Sequence, residues 1–318
     1  MQRQIKDVVM EAQDKIKLFL DKYGPEFLWV LVSGGKDSAA VWALADSVTR
    51  NYVAVFVHIA GQTHSDNVKT VYDLARILDV RDVVRVRVDA TRRIMKKLEE
   101  ALETCGQPCL LHVVVFTHRG EDFWQALMRY GYPAPLGRFG KGTRWCCGTF
   151  KHRVFNRLPY NGYHNGEPWR YGVDGVKATD SPYRRKKYTS DVLTWERTRD
   201  TYLFPLRLLS DEQVWGILRY YGLYEVVYQQ YERWGRAPNC MFCPMVGRRE
   251  LIAKTVEAMP ESMRKLVYSH LYTLLPRYKE TTFSYKSIRK WLEVLEGSMM
   301  TRIIVEQVAS GEAEECAL

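Results

Sequence analysis

The sequence predicts an α/β fold: a parallel, twisted sheet flanked by helices, followed by a helical C-terminal region. Three observations carry this reading. Apolar strand-like runs alternate with helix-period runs through the N-terminal part of the chain. A glycine-rich turn closes the first strand and opens a helix. After about Thr255 the pattern becomes wholly helical. Strands separated by helices pair in parallel through right-handed crossovers, and such sheets bind ligands beyond the carboxyl ends of their strands.

Each element has a local reason. Ile5, Val8, Val9, Ala12, Ile16, Phe19 and Leu20 recur at helical spacing, and Gly24-Pro25 stops the run. Leu28 to Val32 is a short apolar strand, and a helix follows from Asp37 to about Thr49. Tyr52 to Ile59 (YVAVFVHI) reads as a second buried strand, Val68 to Leu78 as a second helix, and Val83 to Val88 alternates as a third strand. From Gly131 to Trp169, abundant Gly, Pro, Asn, Arg and aromatic residues predict a loop-heavy stretch. Ser210-Asp211-Glu212-Gln213 is a capping-box start for a helix through Val214, Trp215, Ile217 and Leu218. Ile288, Trp291, Leu292 and Leu295 share one helical face, which suits either core packing or the subunit interface of a homodimer.

No apolar run is long enough to cross a bilayer, and the charged start MQRQIKDVVMEAQDKIK lacks a secretory apolar region. A soluble cytoplasmic protein with no membrane partner is expected. The net charge of +10 favours polyanionic partners, either a nucleotide or a nucleic acid. In a cytosolic chain, seven cysteines point to metal binding or catalysis before disulfides.

The turn after the first strand is Ser33-Gly34-Gly35-Lys36-Asp37-Ser38. Gly34 and Gly35 let backbone N–H groups approach an anion, and the helix N-terminus adds partial positive charge. Lys36 adds a full charge, Ser33 and Ser38 add hydroxyls, and Asp37 suits a magnesium ligand or a helix cap. A Walker A loop needs four residues before its Gly-Lys-Ser/Thr end, so this is a different phosphate loop. It resembles the PP-loop of the ATP pyrophosphatase superfamily, matching Ser-Gly-Gly-x-Asp-Ser at every fixed position. The resemblance implies an adenine nucleotide alpha hydrolase-like fold that grips the β- and γ-phosphates of ATP with Mg2+ while the α-phosphorus is attacked and pyrophosphate leaves. Residues 1–254 are then the nucleotide-binding domain with its cysteine loops, and 255–318 the helical C-terminal region and tail.

Cys146-Cys147 and Cys240-x-x-Cys243 form the second signal. Four thiolates can hold zinc or a 4Fe–4S cluster. A vicinal pair joined to one C-x-x-C is similar to the cluster-binding pattern of the iron–sulfur adenylyl-sulfate reductases. Cys105 and Cys109, in CGQPC, read as packing residues or an incidental redox pair.

Between these anchors, GVKATDSPYRRKKY, LFPLRLLSDEQVWGILRYYGL and APNCMFCP follow in the order found in the phosphoadenylyl-sulfate reductase family, which the chain resembles over roughly residues 28 to 250. The resemblance implies that Gly175 approaches the nucleotide and that Arg184 contacts the anionic part of the ligand, joining Lys36 and Asp37 in catalysis. Lys177 stands where the family has arginine, keeping the charge and losing the bidentate fork. Asp180-Ser181 stands where the family has Glu-Ser. Gly61 follows the second strand where relatives carry Asp-Thr-Gly. Arg184-Arg185-Lys186-Lys187, flanked by Tyr183 and Tyr188, is either a polyanion patch or a solvated basic loop.

Three functions follow from these residues. The first is an ATP-using, cluster-bearing transferase: an acceptor, such as a tRNA or DNA base, is adenylated and then thiolated by an unidentified sulfur donor. The second is a sulfonucleotide reductase in which Cys316 is the nucleophile and an electron donor completes the cycle; Cys316 otherwise belongs to an acidic tail. The third is a non-catalytic nucleotide-binding accessory protein.

Overall fold

The computed structural model describes residues 4–116, 118–134 and 144–310, with side chains as far as residue 298 and excepting that of His118. Two compact units emerge. The first runs to Phe123 and includes Cys147–Glu232 and Arg236–Cys240. The second comprises Trp124–Cys146, Arg233–Gly235 and the chain from Met241 onward.

In chain order the elements are α1 (Ile5–Tyr23), β1 (Leu28–Val32), α2 (Lys36–Val48), β2 (Tyr52–Ile59), α3 (Ser65–Ile77), β3 (Asp82–Val88), α4 (Ile94–Glu103), β4 (Cys109–Val115), α5 (Phe123–Tyr130) and α6 (Trp145–Cys147). There follow α7 (Arg153–Phe155), β5 (Gly162–His164), β6 (Glu167–Val173), α8 (Pro182–Lys187), β7 (Val192–Trp195), β8 (Asp200–Leu203), α9 (Asp211–Tyr220), α10 (Tyr224–Trp234), α11 (Arg249–Ala258), α12 (Glu261–Leu274) and α13 (Phe283–Ser310). The expected α/β class and helical C-terminal region are present.

The first unit holds an eight-stranded sheet in the order β3-β4-β2-β1-β6-β8-β7, with β5 paired to β6. Every pairing is parallel except β5 with β6 and β7 with β8. The chain leaves β1 for β2 on one side and returns to β6 on the other, which makes the β1/β6 border the switch point where such sheets open a crevice. The register there is Trp29↔Gly172 and Val30↔Val173, so the turn after β1 lies beside the turn after β6.

Both β1 and β2 read as continuous apolar runs because each is covered on both faces; all five residues of β1 are buried. Helix α1 buries Val8, Val9, Ala12, Ile16 and Phe19, packs with α2 and α9, and ends where Gly24 adopts φ +51° and donates its N–H to Leu20 O at 2.8 Å. The capping box of α9 forms as expected: Gln213 N–H donates to Ser210 Oγ at 3.3 Å, and Ser210 N–H to Gln213 Oε1 at 2.9 Å.

The stretch expected to be loop-heavy is more ordered than its composition implies. Between Trp145 and Phe155 it forms consecutive helical turns, and β5 with the start of β6 forms a hairpin. Phe150, Val154 and Leu158, all fully buried, recur at helical spacing inside an otherwise polar run. Cys105 and Cys109, with Cα atoms 6.0 Å apart, are joined as a disulfide at the start of β4.

In the second unit α13 packs against α11 and α12. Ile288, Trp291, Leu292 and Leu295 are buried with Ile252, Val256, Val267 and Leu271, so the apolar stripe is core within this unit. Phe242 packs its ring against Trp291, Trp124 and Tyr132 at 4.9, 5.8 and 6.0 Å. No described helix is long and apolar enough to cross a membrane.

Candidate functional site

The turn leaving β1 is Ser33-Gly34-Gly35, and Lys36 is the first residue of α2. Gly34 has φ +75°, and a Cβ there would run into the Asn67 amide, so both backbone conformation and space demand glycine. Gly175, just past β6, packs flat on the start of α2. A Cβ at that position would lie 2.7 Å from the Asp37 carbonyl group and 2.8 Å from Ser38 N. This close approach brings the β6 turn and the β1 turn into one site.

A cavity of about 170 Å³ opens at this junction, lined by Ser33, Gly35, Asp37, Ser38, Asp174, Gly175, Val176 and Arg184. Whole small-molecule sites usually measure about 300–1,000 Å³, so this volume suits a polyphosphate end rather than an entire nucleotide. Hydroxyls organise it: Ser33 Oγ and Ser38 Oγ lie 3.1 Å apart, Ser33 N–H donates to Ser38 Oγ at 3.1 Å, and Ser38 Oγ donates to Gly35 O at 3.0 Å.

Distant side chains fix the loop. Asn67, on α3, donates to Ser33 O at 3.1 Å and to Gln230 Oε1 at 2.9 Å. Gln230, on α10, donates to Gly34 O at 2.9 Å, and Lys36 N–H donates to the Tyr231 hydroxyl at 3.1 Å. Asn239 donates to Asn67 Oδ1 at 3.3 Å and accepts from Lys151. None of these four residues stands out in the sequence, because nothing local marks a partner so far along the chain.

The charges interlock. Lys36 Nζ lies 2.9 Å from Asp37 and 3.2 Å from Asp211. Lys177, almost wholly buried, pairs with Asp211, with Asp180 at 3.2 Å and with Asp37 at 3.6 Å. Burial works against both ammonium groups, yet the surrounding carboxylates outweigh it and hold both pKa values above the ordinary lysine value. Conversely, burial works against the Asp211 carboxylate, and the two lysines hold its pKa below the usual value. Asp174 is pushed up to about 6, chiefly by desolvation, with the Asp37 charge adding to it and Arg184 opposing. Asp174 was not singled out from the sequence; its place next to Gly175, just past β6, is the signal that could have found it.

The structure therefore gathers Ser33, Gly34, Gly35, Lys36, Asp37, Ser38, Gly175, Lys177 and Arg184 at the β1/β6 border. Arg184 lines the cavity and pairs with Asp180, while its N–H donates to Ser181 Oγ at 3.2 Å. Gly61 does not line the cavity: it is exposed in a turn at the end of β2, with φ +78°.

Cys146 and Cys147 lie in α6, Cys240 closes a 3₁₀ turn, and Cys243 follows it; all four are half-buried. Cys146 and Cys243 belong to the second unit, where their charges help burial raise the Tyr132 phenol, while Cys147 and Cys240 belong to the first. Among the described residues no three or more His, Cys, Asp or Glu side chains gather as a metal-ligand group. Cys316 lies outside the described residues.

Neither a protein-family model nor a curated protein matches the sequence. Among solved structures, the NH3-dependent NAD synthetase from Campylobacter jejuni subsp. jejuni NCTC 11168, in complex with the nitrate ion, aligns over 92% of this chain and 94% of its own. The TM-score is 0.40 and the identity 10%. Likeness at that level says nothing of what this chain binds, so the site rests on its own geometry.

Proposed function

We propose that this chain is an ATP pyrophosphatase that adenylates an acceptor. The observation that carries the reading is the Ser33–Ser38 loop, held against Gly175 at the switch point of the sheet around one small cavity that Arg184 lines, with Lys36 and Lys177 both ion-paired to its lining residue Asp37. The resemblance of that loop to the PP-loop supplies the direction of cleavage.

In this reading the Ser33 and Ser38 hydroxyls and the Lys36 and Lys177 ammonium groups take the β- and γ-phosphates. An acceptor oxygen forms a bond to the α-phosphorus as the α,β-bridging bond breaks, and pyrophosphate departs with its negative charge neutralised by the lysines. Arg184, which also lines the cavity, is available to the α-phosphate at which the adenylyl group is transferred. Magnesium commonly takes one or two carboxylates plus substrate phosphates. Asp37 and Asp174 both line the cavity and fit that role, in which the ion would neutralise phosphate charge.

Sulfur transfer to the adenylated carbon, through a cluster on Cys146, Cys147, Cys240 and Cys243, is the finer reading. It rests on cysteine spacing alone, so no step is routed through a cluster. Iron and acid-labile sulfide analysis of anaerobically purified protein tests it: Cys240→Ser should halt iron retention, and unchanged iron would remove Cys240 from any ligand set. The adenylation reading is tested by separating nucleotides after incubation with ATP, magnesium and mixed nucleic acids as acceptors, where pyrophosphate is expected together with AMP, either bonded to the acceptor or released from it by water. ADP and orthophosphate would overturn it.

A further inference from the structure

The basic run on α8 is not consumed by the phosphate site. Arg184 turns inward to the cavity, but Arg185, Lys186 and Lys187 are exposed, as is Tyr183 at 61%. Ser181 caps the helix by accepting the Arg184 N–H, and Pro182 starts it, so the orientation of this short element is set by local chemistry. Among the described residues no carboxylate pairs with Arg185, Lys186 or Lys187; the one nearby acid on this element's entry, Asp180, is engaged by Arg184 and Lys177.

A second element adds to the same charge. The imidazole of His152 is held below its usual range by desolvation and then by Lys187 and Lys151, which places the end of α8 beside the helical turns at Gly148–Phe155. Arg153, exposed on those turns, also has no ion-pair partner among the described residues. Lys187 and Lys151, from two segments well separated in sequence, thus act on one imidazole, and among the described residues no acid forms an ion pair with Arg185, Lys186, Lys187 or Arg153. These cations begin at the cavity rim, where Arg184 belongs to both. Uncompensated like charge of this kind costs stability unless a polyanion covers it.

We propose that α8 and the Gly148–Phe155 turns form a docking surface for the phosphodiester backbone of a nucleic acid, which delivers the acceptor group to the cavity. The delivery clause rests on the adenylation reading; the docking surface does not. Tyr183, exposed on the same helix, offers a face on which a base can stack, a feature that favours nucleic acid over an acidic protein.

The test measures binding of a labelled RNA hairpin, a single-stranded DNA and a duplex DNA by fluorescence anisotropy across a salt series. It compares the wild-type chain with Arg185→Ala/Lys186→Ala/Lys187→Ala and, separately, with Lys186→Glu. Each lost phosphate contact should reduce the log–log salt slope by about 0.7 to 0.9, so the triple variant should lose about two units of slope and at least about tenfold in affinity. The three probes decide between RNA and DNA. ATP binding, and any slow hydrolysis of ATP by water without added nucleic acid, should be unchanged in both variants. Unaltered affinity and slope would overturn the surface, as would equal competition by polyglutamate. Nucleic-acid binding with this salt slope by a chain that never cleaves ATP would sink the adenylation reading alone.

Discussion

Asp211 bridges Lys36 and Lys177, the two cations assigned to the polyphosphate, and so competes with it. Asp211→Asn removes the charge while keeping shape and polarity. At the 3.2 Å separation from Lys36, Coulomb's law in water gives about 1.3 kcal/mol. The Asp211 side chain is 58% exposed, so screening and side-chain freedom reduce the release to about 1 kcal/mol for the two contacts together. ATP should therefore bind about fivefold more tightly to the variant. Stability should move the other way. Asp211 begins α9, and an acid in the first turn contributes about 0.5 kcal/mol through the helix dipole. Calorimetric titration with ATP and magnesium, beside a urea melt, reads both changes. Weaker ATP binding by Asp211→Asn would refute the reasoning: it would mean that Asp211 holds the lysines in their working positions rather than competing for them.

Lys36→Ala should abolish pyrophosphate release while leaving the circular-dichroism spectrum intact, since its ammonium serves the site and not the core; retained release would remove Lys36 from catalysis. Gly175→Ala forces a methyl to within 2.7 Å of the Asp37 backbone, which should cost about 1–3 kcal/mol in a urea melt and close the cavity to ATP. An unchanged melt and ATP affinity would contradict that packing. His112 is buried on β4, its Nε2 3.2 Å from His58 Nδ1 and its Nδ1 2.8 Å from the Tyr72 hydroxyl. Desolvation, then His58 and Arg85, lower its pKa from 6.5 to about 4. The unfolded chain therefore binds the proton more readily. Stability is fully retained above about pH 6.5 and is lost as the pH falls toward 4, by up to about 3 kcal/mol. Melting temperatures measured across that window should fall, and less steeply for His112→Gln; identical slopes would exclude His112 as the cause.

Much of the first unit was legible because its signals are local. The apolar runs of β1 and β2 have sharp polar or glycine borders, and the capping box marks α9 within a residue. The phosphate loop was legible for the same reason: its six residues are contiguous and sit between a strand and a helix. Gly175, Lys177 and Arg184 became visible only through resemblance to a family pattern, since no periodicity ties them to a loop on another strand. Asn67, Gln230 and Tyr231 were not visible at all. They act by folding two helices against the loop, and an amide or phenol on a helix looks like any other polar residue until the chain is closed. Helical turns in the Trp145–Phe155 stretch were masked by composition, because its two buried apolar residues, Phe150 and Val154, were outnumbered by Gly148, Thr149, Lys151, His152 and Arg153.

The most direct measurement of the central claim is nucleotide chromatography after incubating the protein anaerobically in parallel reactions, one with ATP, magnesium and mixed nucleic acids, the other with adenylyl sulfate and a thiol reductant. AMP and pyrophosphate from ATP, with adenylyl sulfate left intact, is the predicted result. AMP and sulfite from adenylyl sulfate, with ATP untouched, would contradict it and make the chain a sulfonucleotide reductase.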